Sequence, residues 1–224
     1  MLTYKNLILI GTSHISKDSV NQIKTSILKE KPKIIALELD KIRFNSLTSK
    51  KKKKIKIKNL KTIGFTGFLF NLIGAWVEKR LGKLVGVSPG SEMIAAIKLA
   101  RKNKIKILLI DQDIRITLKK LTKNISAKEK LNLISDFLIS LIFRQRINKI
   151  DLRKVPDQKT IKDLKKQFRK RYPKTYKILV TERNNVMAKN LNKIINKYSD
   201  KKTIVIIGAG HQEDIFNLLK NEII

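Results

Sequence analysis

The sequence predicts an α/β fold in which a central, mostly parallel sheet is flanked by helices. Apolar runs at residues 7–10, 34–39, 105–110 and 204–207 suit strands buried on both faces, because they do not alternate with polar residues. Stretches of helical spacing separate these runs, which is the order expected for a parallel sheet with crossover helices. Histidine or acidic residues lie at the end of each run, and ligands of such sheets bind at the carboxyl ends of the strands.

The composition suits one globular domain. The 224 residues are 42% hydrophobic and include no cysteine, so neither a disulfide nor a thiolate metal site can form. We predict a single α/β domain over residues 1–224, with helical insertions at about 63–85 and 126–171. The chain enters a strand without a secretory signal, and its longest apolar stretch, residues 63–77, is too short to cross a bilayer. We therefore expect a cytoplasmic protein with no transmembrane span and at most a peripheral membrane contact.

The formal net charge of +33 raises the question of nucleic-acid binding. Only ten of the 51 basic residues are arginines, and the lysines are spread along the chain instead of clustering with aromatic residues. Specific recognition of bases and phosphates favours arginine, and single-strand platforms need aromatic residues beside a basic groove. We therefore expect only non-specific, salt-sensitive binding to nucleic acid.

The first and last predicted strands are each followed by the same short motif, a glycine, two residues and a histidine, and these are the chain's two histidines. Gly11-Thr12-Ser13-His14 follows the first apolar run, and Gly208-Ala209-Gly210-His211 follows the last. Glycine permits a tight turn from strand to helix, and a helical pattern begins after each histidine. A single histidine in this position more often caps a helix, but the matched pair indicates one site built from both ends of the chain. We predict that His14 and His211 meet at a metal ion or a substrate.

Acidic residues end the two middle strands. Glu38 lies inside an apolar run that Asp40 closes, and a buried glutamate is costly unless it is paired or binds a cation. Arg43 follows on a short predicted helix, and the next strand ends in Asp111 and Asp113. We expect these carboxylates to lie near the two histidines at the carboxyl edge of the sheet.

Helical segments fill the rest of the chain. Apolar residues between positions 65 and 84 keep helical spacing and suit packing in the core or against a second copy of the chain, as in a homodimer. A later predicted helix carries Glu92 in its first turn, where the helix dipole favours an acidic residue. Ser126 and Glu129 form a predicted capping box that opens a helix to about residue 150, and another helix is predicted over residues 161–170.

The helix after Pro173 carries a charged residue within its apolar stripe. Arg183 falls in the middle of the stripe formed by residues 176–194. A guanidinium that faces the core must meet a carboxylate or a bound anion, although a long side chain can also reach out to water. We predict that Arg183 points to the acidic residues at the edge of the sheet, with Asn184 at the edge of the stripe.

Six motifs in this order resemble the TraB/PrgY/GumN family, which includes the TIKI proteins. They are Gly11-Thr12-Ser13-His14, Glu38-Leu39-Asp40 with Arg43, Pro89-Gly90-Ser91-Glu92-Met93, Asp111-Gln112-Asp113, Glu182-Arg183-Asn184 with Met187-Ala188, and Gly208-Ala209-Gly210-His211. The resemblance implies an α/β fold of the erythromycin-esterase and ChaN-like kind. It also implies an active site of His14, Glu38, Arg183, Asn184 and His211, with Glu92 as a further candidate. The TIKI branch is described as a metal-dependent protease, and the TraB and PrgY branches are linked to shutting down peptide pheromones.

The leading hypothesis is a metal-dependent hydrolase that acts on peptides. His14, His211 and Glu38 would hold a divalent ion, and Zn, Mn and Co are all compatible with such ligands. Arg183 would orient Glu38 or stabilise negative charge that develops on the substrate. Two alternatives stay open: a non-catalytic module that binds and sequesters a peptide, and a protein that binds polyanions through its basic surface.

Overall fold

The computed structural model describes residues 1–13, 17–49, 90–142 and 156–221. Within these residues five strands form one sheet in the spatial order β1-β2-β5-β3-β4. The strands are β1 (Leu2–Tyr4), β2 (Leu7–Thr12), β3 (Ile34–Leu37), β4 (Lys106–Leu109) and β5 (Thr203–Gly208). β1 is antiparallel to β2, and all other neighbours are parallel. The predicted α/β fold with a mostly parallel sheet is therefore confirmed.

Helices of the described residues cover both faces of this sheet. They are α1 (Lys17–Glu30), α2 (Lys41–Thr48), α3 (Ser91–Lys102), α4 (Ile114–Asn124), α5 (Ala127–Ile142), α6 (Gln158–Arg171), α7 (Pro173–Tyr176), α8 (Glu182–Lys197) and α9 (Ala209–Lys220). A π-helical turn, Lys177–Thr181, joins α7 to α8. None of the helices in these ranges is long and apolar enough to span a membrane.

The central strand β5 explains the unbroken apolar run near the end of the chain. Its side chains alternate between two faces, as they do in any strand. Val205 and Ile207 pack with residues of α8 and α9, whereas Ile204 and Ile206 pack with residues of α1 and α3. Every residue of β5 is buried, so no position in this strand faces water, and the four residues that follow Thr203 are all apolar.

The strand register brings the carboxyl ends of four strands to one edge of the sheet. Thr12 of β2 lies beside Gly208 of β5, and Leu37 of β3 lies beside Ile206 of β5. The parallel pairing of β3 with β4 brings the end of β4 to the same edge. The polar residues that follow these strands are therefore close together, as the sequence predicts.

The strand predicted at residues 105–110 is shorter and less buried than expected. β4 spans Lys106–Leu109 and forms one edge of the described sheet. Lys106 is exposed and the next three residues are only partly buried. The prediction of a strand covered on both faces is therefore wrong for β4, because a short run of apolar residues does not distinguish an edge strand from a central one.

The predicted capping box at Ser126 is only half formed. The Ser126 hydroxyl accepts from the Glu129 N–H at 3.3 Å. The Glu129 carboxylate instead accepts from the N–H groups of Lys174 and Thr175, at 3.0 and 2.9 Å, and from the Thr175 hydroxyl at 2.7 Å. Glu129 therefore caps α7 and joins α5 to it. Of the two predicted insertions, α5 and α6 belong to residues 126–171, whereas residues 63–85 lie outside the described ranges.

Candidate functional site

Glu38 is buried where β3 and β5 end. The residue directly follows β3 and is only 4% exposed. Its N–H extends the strand pairing by donating to the Ile206 carbonyl at 3.0 Å. Its carboxylate reaches the end of β5, where Oε2 accepts from the Gly208 N–H at 2.6 Å. The second glycine-to-histidine motif thus supplies a backbone donor, the Gly208 N–H, to the buried glutamate.

Arg183 supplies a positive charge to two buried carboxylates. Its Nη2 lies 2.5 Å from Glu38 Oε1 and 2.6 Å from Asp111 Oδ2, and its Nε lies 3.1 Å from Asp111 Oδ1. Its Nη1 donates to the Leu179 carbonyl of the π-helical turn at 3.2 Å. Burial by itself would lower the pKa of this guanidinium, but Glu38 and Asp111 outweigh burial and the pKa is raised. Arg183 is therefore charged, and each of its three nitrogens has a protein acceptor.

Arg43 closes the cluster from α2. Its Nε lies 2.5 Å from Asp40 Oδ2, and its Nη2 also donates to Asp111 Oδ2. Asp40 is the N-cap of α2, which explains why this short helix begins where it does. The carboxylates of Glu38, Asp40 and Asp111 thus meet the two guanidinium groups of Arg43 and Arg183.

His211 lies in the first turn of α9, which begins at Ala209, two residues before the histidine instead of after it as the sequence predicts. Its side chain is 13% exposed, and its Nε2 lies 3.5 Å from Glu38 Oε1. Its Nδ1 lies 2.5 Å from Asn184 Oδ1, and because an amide oxygen only accepts, this contact favours the tautomer with the proton on Nδ1 and a lone pair on Nε2. Burial lowers the pKa of the imidazole and Arg183 lowers it further, while Glu38 only partly opposes them. The ring is therefore neutral near neutral pH, with a basic nitrogen facing a carboxylate oxygen.

This pair of facing acceptors fits a bound cation. The separation of 3.5 Å between Nε2 and Oε1 is close to the roughly 3.4 Å between two ligand atoms on a tetrahedral zinc ion with bonds of about 2.1 Å. Within the described ranges, no three histidine or acidic side chains form a complete set of metal ligands. Glu38 and His211 fit two positions of the predicted metal site, and His14, the third predicted ligand, lies outside the described residues.

The remaining predicted residues lie at different depths. Thr12, two residues before His14, pairs with Gly208, and its hydroxyl donates to the Ile207 carbonyl at 3.2 Å. Glu92 is fully buried in the first turn of α3. Asp113 caps α4 and pairs with Arg115 at the surface, which is a structural role. The contacts given above bring together Glu38, Arg183, Asn184 and His211.

Gly11 allows a side chain of α9 to lie against β2. Gln212 Nε2 donates to the Leu9 carbonyl at 2.9 Å. A Cβ added at Gly11 would lie 2.5 Å from Gln212 Oε1 and 3.2 Å from the Ala209 Cα. The predicted role for this glycine, a tight strand-to-helix turn, is therefore wrong: Gly11 lies within β2 and is needed for close approach. This close approach brings the two glycine-to-histidine motifs into contact.

Two further residues contribute to the site in ways that the sequence does not predict. Asp111 lies at the carboxyl edge of the sheet, where the sequence places it, and it binds both arginines. Asp214 accepts from Asn184 Nδ2 at 2.9 Å. The spacing of three residues between His211 and Asp214 places them on one face of a helix, and this spacing was the available signal.

Comparisons with known proteins agree with the motif pattern. A family model described as "TraB/PrgY/gumN family" matches residues 3–222. The chain is 39% identical over 222 residues to "Uncharacterized protein MJ1365" of Methanocaldococcus jannaschii. That alignment covers 96% of this chain and 53% of the relative, so the chain spans about half the length of the protein it matches. The family match includes every residue of the site described above.

Proposed function

Because the chain belongs to the TraB/PrgY/gumN family, we propose that the site at the carboxyl edge of its sheet is that of a metal-dependent hydrolase. One observation carries the proposal. His211 Nε2 lies 3.5 Å from Glu38 Oε1, and burial lowers the pKa of the ring, which favours the neutral imidazole that a metal ion binds. Two buried acceptors in this arrangement favour a cation between them.

His211 and Glu38 would hold the ion together with His14. Zn, Mn and Co are all compatible with imidazole and carboxylate ligands. A divalent ion in this position would act as a Lewis acid that polarises the scissile carbonyl and activates water. Glu92 remains a further candidate for a catalytic carboxylate.

The contacts of Arg183 favour an orienting role over direct stabilisation of the substrate. Its nitrogens are bound to Glu38, Asp111 and the Leu179 carbonyl, at 2.5 to 3.2 Å. A guanidinium engaged in this way fixes the Glu38 carboxylate and neutralises part of its charge. Asn184 has a corresponding role toward His211, because its side-chain oxygen accepts from Nδ1.

We propose peptides as the substrates because the resembling family branches include a metal-dependent protease and proteins linked to peptide pheromones. The competing function is peptide binding without turnover. The two differ in one respect that an assay can measure: a hydrolase needs Glu38 and a metal ion for cleavage, whereas a binding module does not cleave.

The proposal is tested with the full chain and a library of short peptides, with cleavage read by mass spectrometry after addition of Zn, Mn or Co. We expect cleavage that a chelator abolishes and that falls at least about 100-fold in Glu38→Gln, which keeps the shape of the side chain but removes its charge. Glu30→Gln is the matched control, because Glu30 pairs with Lys202 on the surface and should leave cleavage unchanged. Cleavage that survives both the chelator and Glu38→Gln would refute the proposal, and tight peptide binding without cleavage would favour the binding module.

A further inference from the structure

A network of side-chain hydrogen bonds connects Lys165 of α6 to His211, and Lys165 lies outside the six motifs shared with the family. Lys165 Nζ lies 2.6 Å from Asp214 Oδ1, Asn184 Nδ2 lies 2.9 Å from Asp214 Oδ2, and Asn184 Oδ1 lies 2.5 Å from His211 Nδ1. The side chains of Lys165 and Asp214 are 20% and 34% exposed, so the hydrogen-bond network extends from a partly exposed ion pair to a buried imidazole. Each link has a direction, because each group can donate, accept or do both.

The direction of every hydrogen bond follows from the two charged residues. A carboxylate only accepts, so the Asn184 amide must turn its nitrogen toward Asp214. The Asn184 oxygen then faces His211 Nδ1, which must carry the proton. Nε2 is left with its lone pair toward Glu38, which is the tautomer that a metal ligand or a general base requires.

We propose that Asp214, held by Lys165, is a positioning residue that orients the Asn184 amide and thereby selects the Nδ1–H tautomer of His211. This inference rests on the proposed function for its biological meaning, but the tautomer itself is a property of the ring that can be measured without metal or substrate. Asp214 touches neither the reacting groups nor a predicted metal ligand and acts only through Asn184.

An isosteric change at Asp214 makes an unusual prediction. Lys165 only donates, so in Asp214→Asn the introduced amide must turn its oxygen to Lys165 and its nitrogen to Asn184. Asn184 must then turn its oxygen toward position 214 and its nitrogen toward His211 Nδ1. The proton of the ring is therefore expected to move to Nε2, so that the tautomer is inverted instead of merely loosened.

The experiment is long-range 1H–15N correlation of the histidine rings in the chelator-treated, 15N-labelled 224-residue chain, at a pH where the rings are neutral. The chain has only two histidines, so a His14→Gln variant assigns the signals of His211 directly. We expect a majority Nδ1–H tautomer in the wild type and a majority Nε2–H tautomer in Asp214→Asn. Adding Lys165→Met to Asp214→Asn releases the introduced amide and is expected to restore a substantial Nδ1–H population.

A neighbouring ion pair provides a matched control. Lys162 Nζ lies 2.8 Å from Glu213 Oε1, and this pair joins the same two helices at the surface, with exposures of 61% and 36%. Glu213→Gln should leave the His211 tautomer unchanged. If Asp214→Asn were too unstable to measure, Asp214→Ala is expected to give both tautomers, because Asn184 is then free to turn.

A wild-type tautomer in both Asp214→Asn and Asp214→Ala would overturn the inference, as would an equal shift in Glu213→Gln. Zinc titration gives a second readout, because loss of a residue that orients a metal ligand typically weakens metal binding about 10- to 100-fold. If no peptide were cleaved, the tautomer measurement would still test the role of Asp214. If the tautomer did not change in the Asp214 variants, the cleavage assay would still test the proposed hydrolase.

Discussion

Arg183 is the residue on which the buried acids of the site depend. Glu38 and Asp111 have side chains that are 4% and 0% exposed, and Arg183 binds both of them. Burial of a carboxylate requires such a partner, because the cost of removing the charge from water is otherwise several kcal/mol. Arg183 thus stabilises the fold as well as forming part of the site.

Arg183→Met is expected to lower the free energy of unfolding by about 3 to 5 kcal/mol, because it removes the guanidinium that binds the buried Glu38 and leaves Asp111 with Arg43 alone. Arg115→Met is the control, since Arg115 pairs with Asp113 at the surface and is 64% exposed. Urea unfolding should show little or no loss in this control. Equal losses in the two variants would contradict the importance that we assign to the buried pair.

The depressed pKa of His211 makes stability depend on pH. The ordinary pKa is 6.5, and burial first, then Arg183, lowers it in the folded chain. The unfolded chain therefore binds the proton more readily, so the contribution is fully present above about pH 6.5 and is lost as the pH falls toward the folded pKa, by at most about 1.4 kcal/mol per pH unit. Urea unfolding in the presence of chelator should show a steeper acid loss in the wild type than in His211→Gln. Superimposable pH profiles would show that the ring is not buried in its neutral form.

At the scale of elements, the contact between β2 and α9 holds the first and last parts of the described chain together. Gly11→Ala would place a Cβ 2.5 Å from Gln212 Oε1 and 3.2 Å from the Ala209 Cα, so we expect a loss of about 1 to 3 kcal/mol as Gln212 is displaced from the Leu9 carbonyl. Gly210→Ala is the matched control, because a Cβ there meets nothing within 4 Å and alanine favours a helix. Thermal unfolding compares the two variants, and a loss in Gly210→Ala as large as in Gly11→Ala would contradict this account.

The sequence predicts the central elements well and the edges poorly. Unbroken apolar runs indicate β2, β3 and β5 because these strands are buried on both faces, and the charged residue in an apolar stripe identifies Arg183. β1 is too short, at three residues, to show any periodicity. The π-helical turn before Arg183 leaves the apolar stripe almost continuous and so gives no separate signal.

Some residues of the site could not be assigned from local patterns at all. Asp214 and Lys165 are charged residues on partly exposed helices, where such residues are ordinary, and only the packing of α6 against α9 reveals their contact. Glu129 matches the spacing of a capping box, but tertiary contact with α7 takes its carboxylate away. In both cases the decisive partner is far away in sequence.

For the molecule as a whole, the net charge of +33 acts separately from the site. We expect weak binding to mixed-sequence duplex DNA at low salt, falling on the order of 1,000-fold between about 50 and 200 mM salt as counterion release loses its driving force. Fluorescence anisotropy should show the same binding in His211→Ala. Sequence-specific binding that survives physiological salt would contradict this expectation.

The central claim is that the two ends of the chain form one metal site, and metal content measures it most directly. Elemental mass spectrometry of the untagged wild type, His14→Ala, His211→Ala and the surface control Glu213→Gln separates the alternatives. We predict near-stoichiometric Zn, Mn or Co in the wild type and the control, and loss of that metal in each histidine variant. A wild type that is free of metal and takes up none of the three ions on titration, or histidine variants that retain it, would contradict the claim.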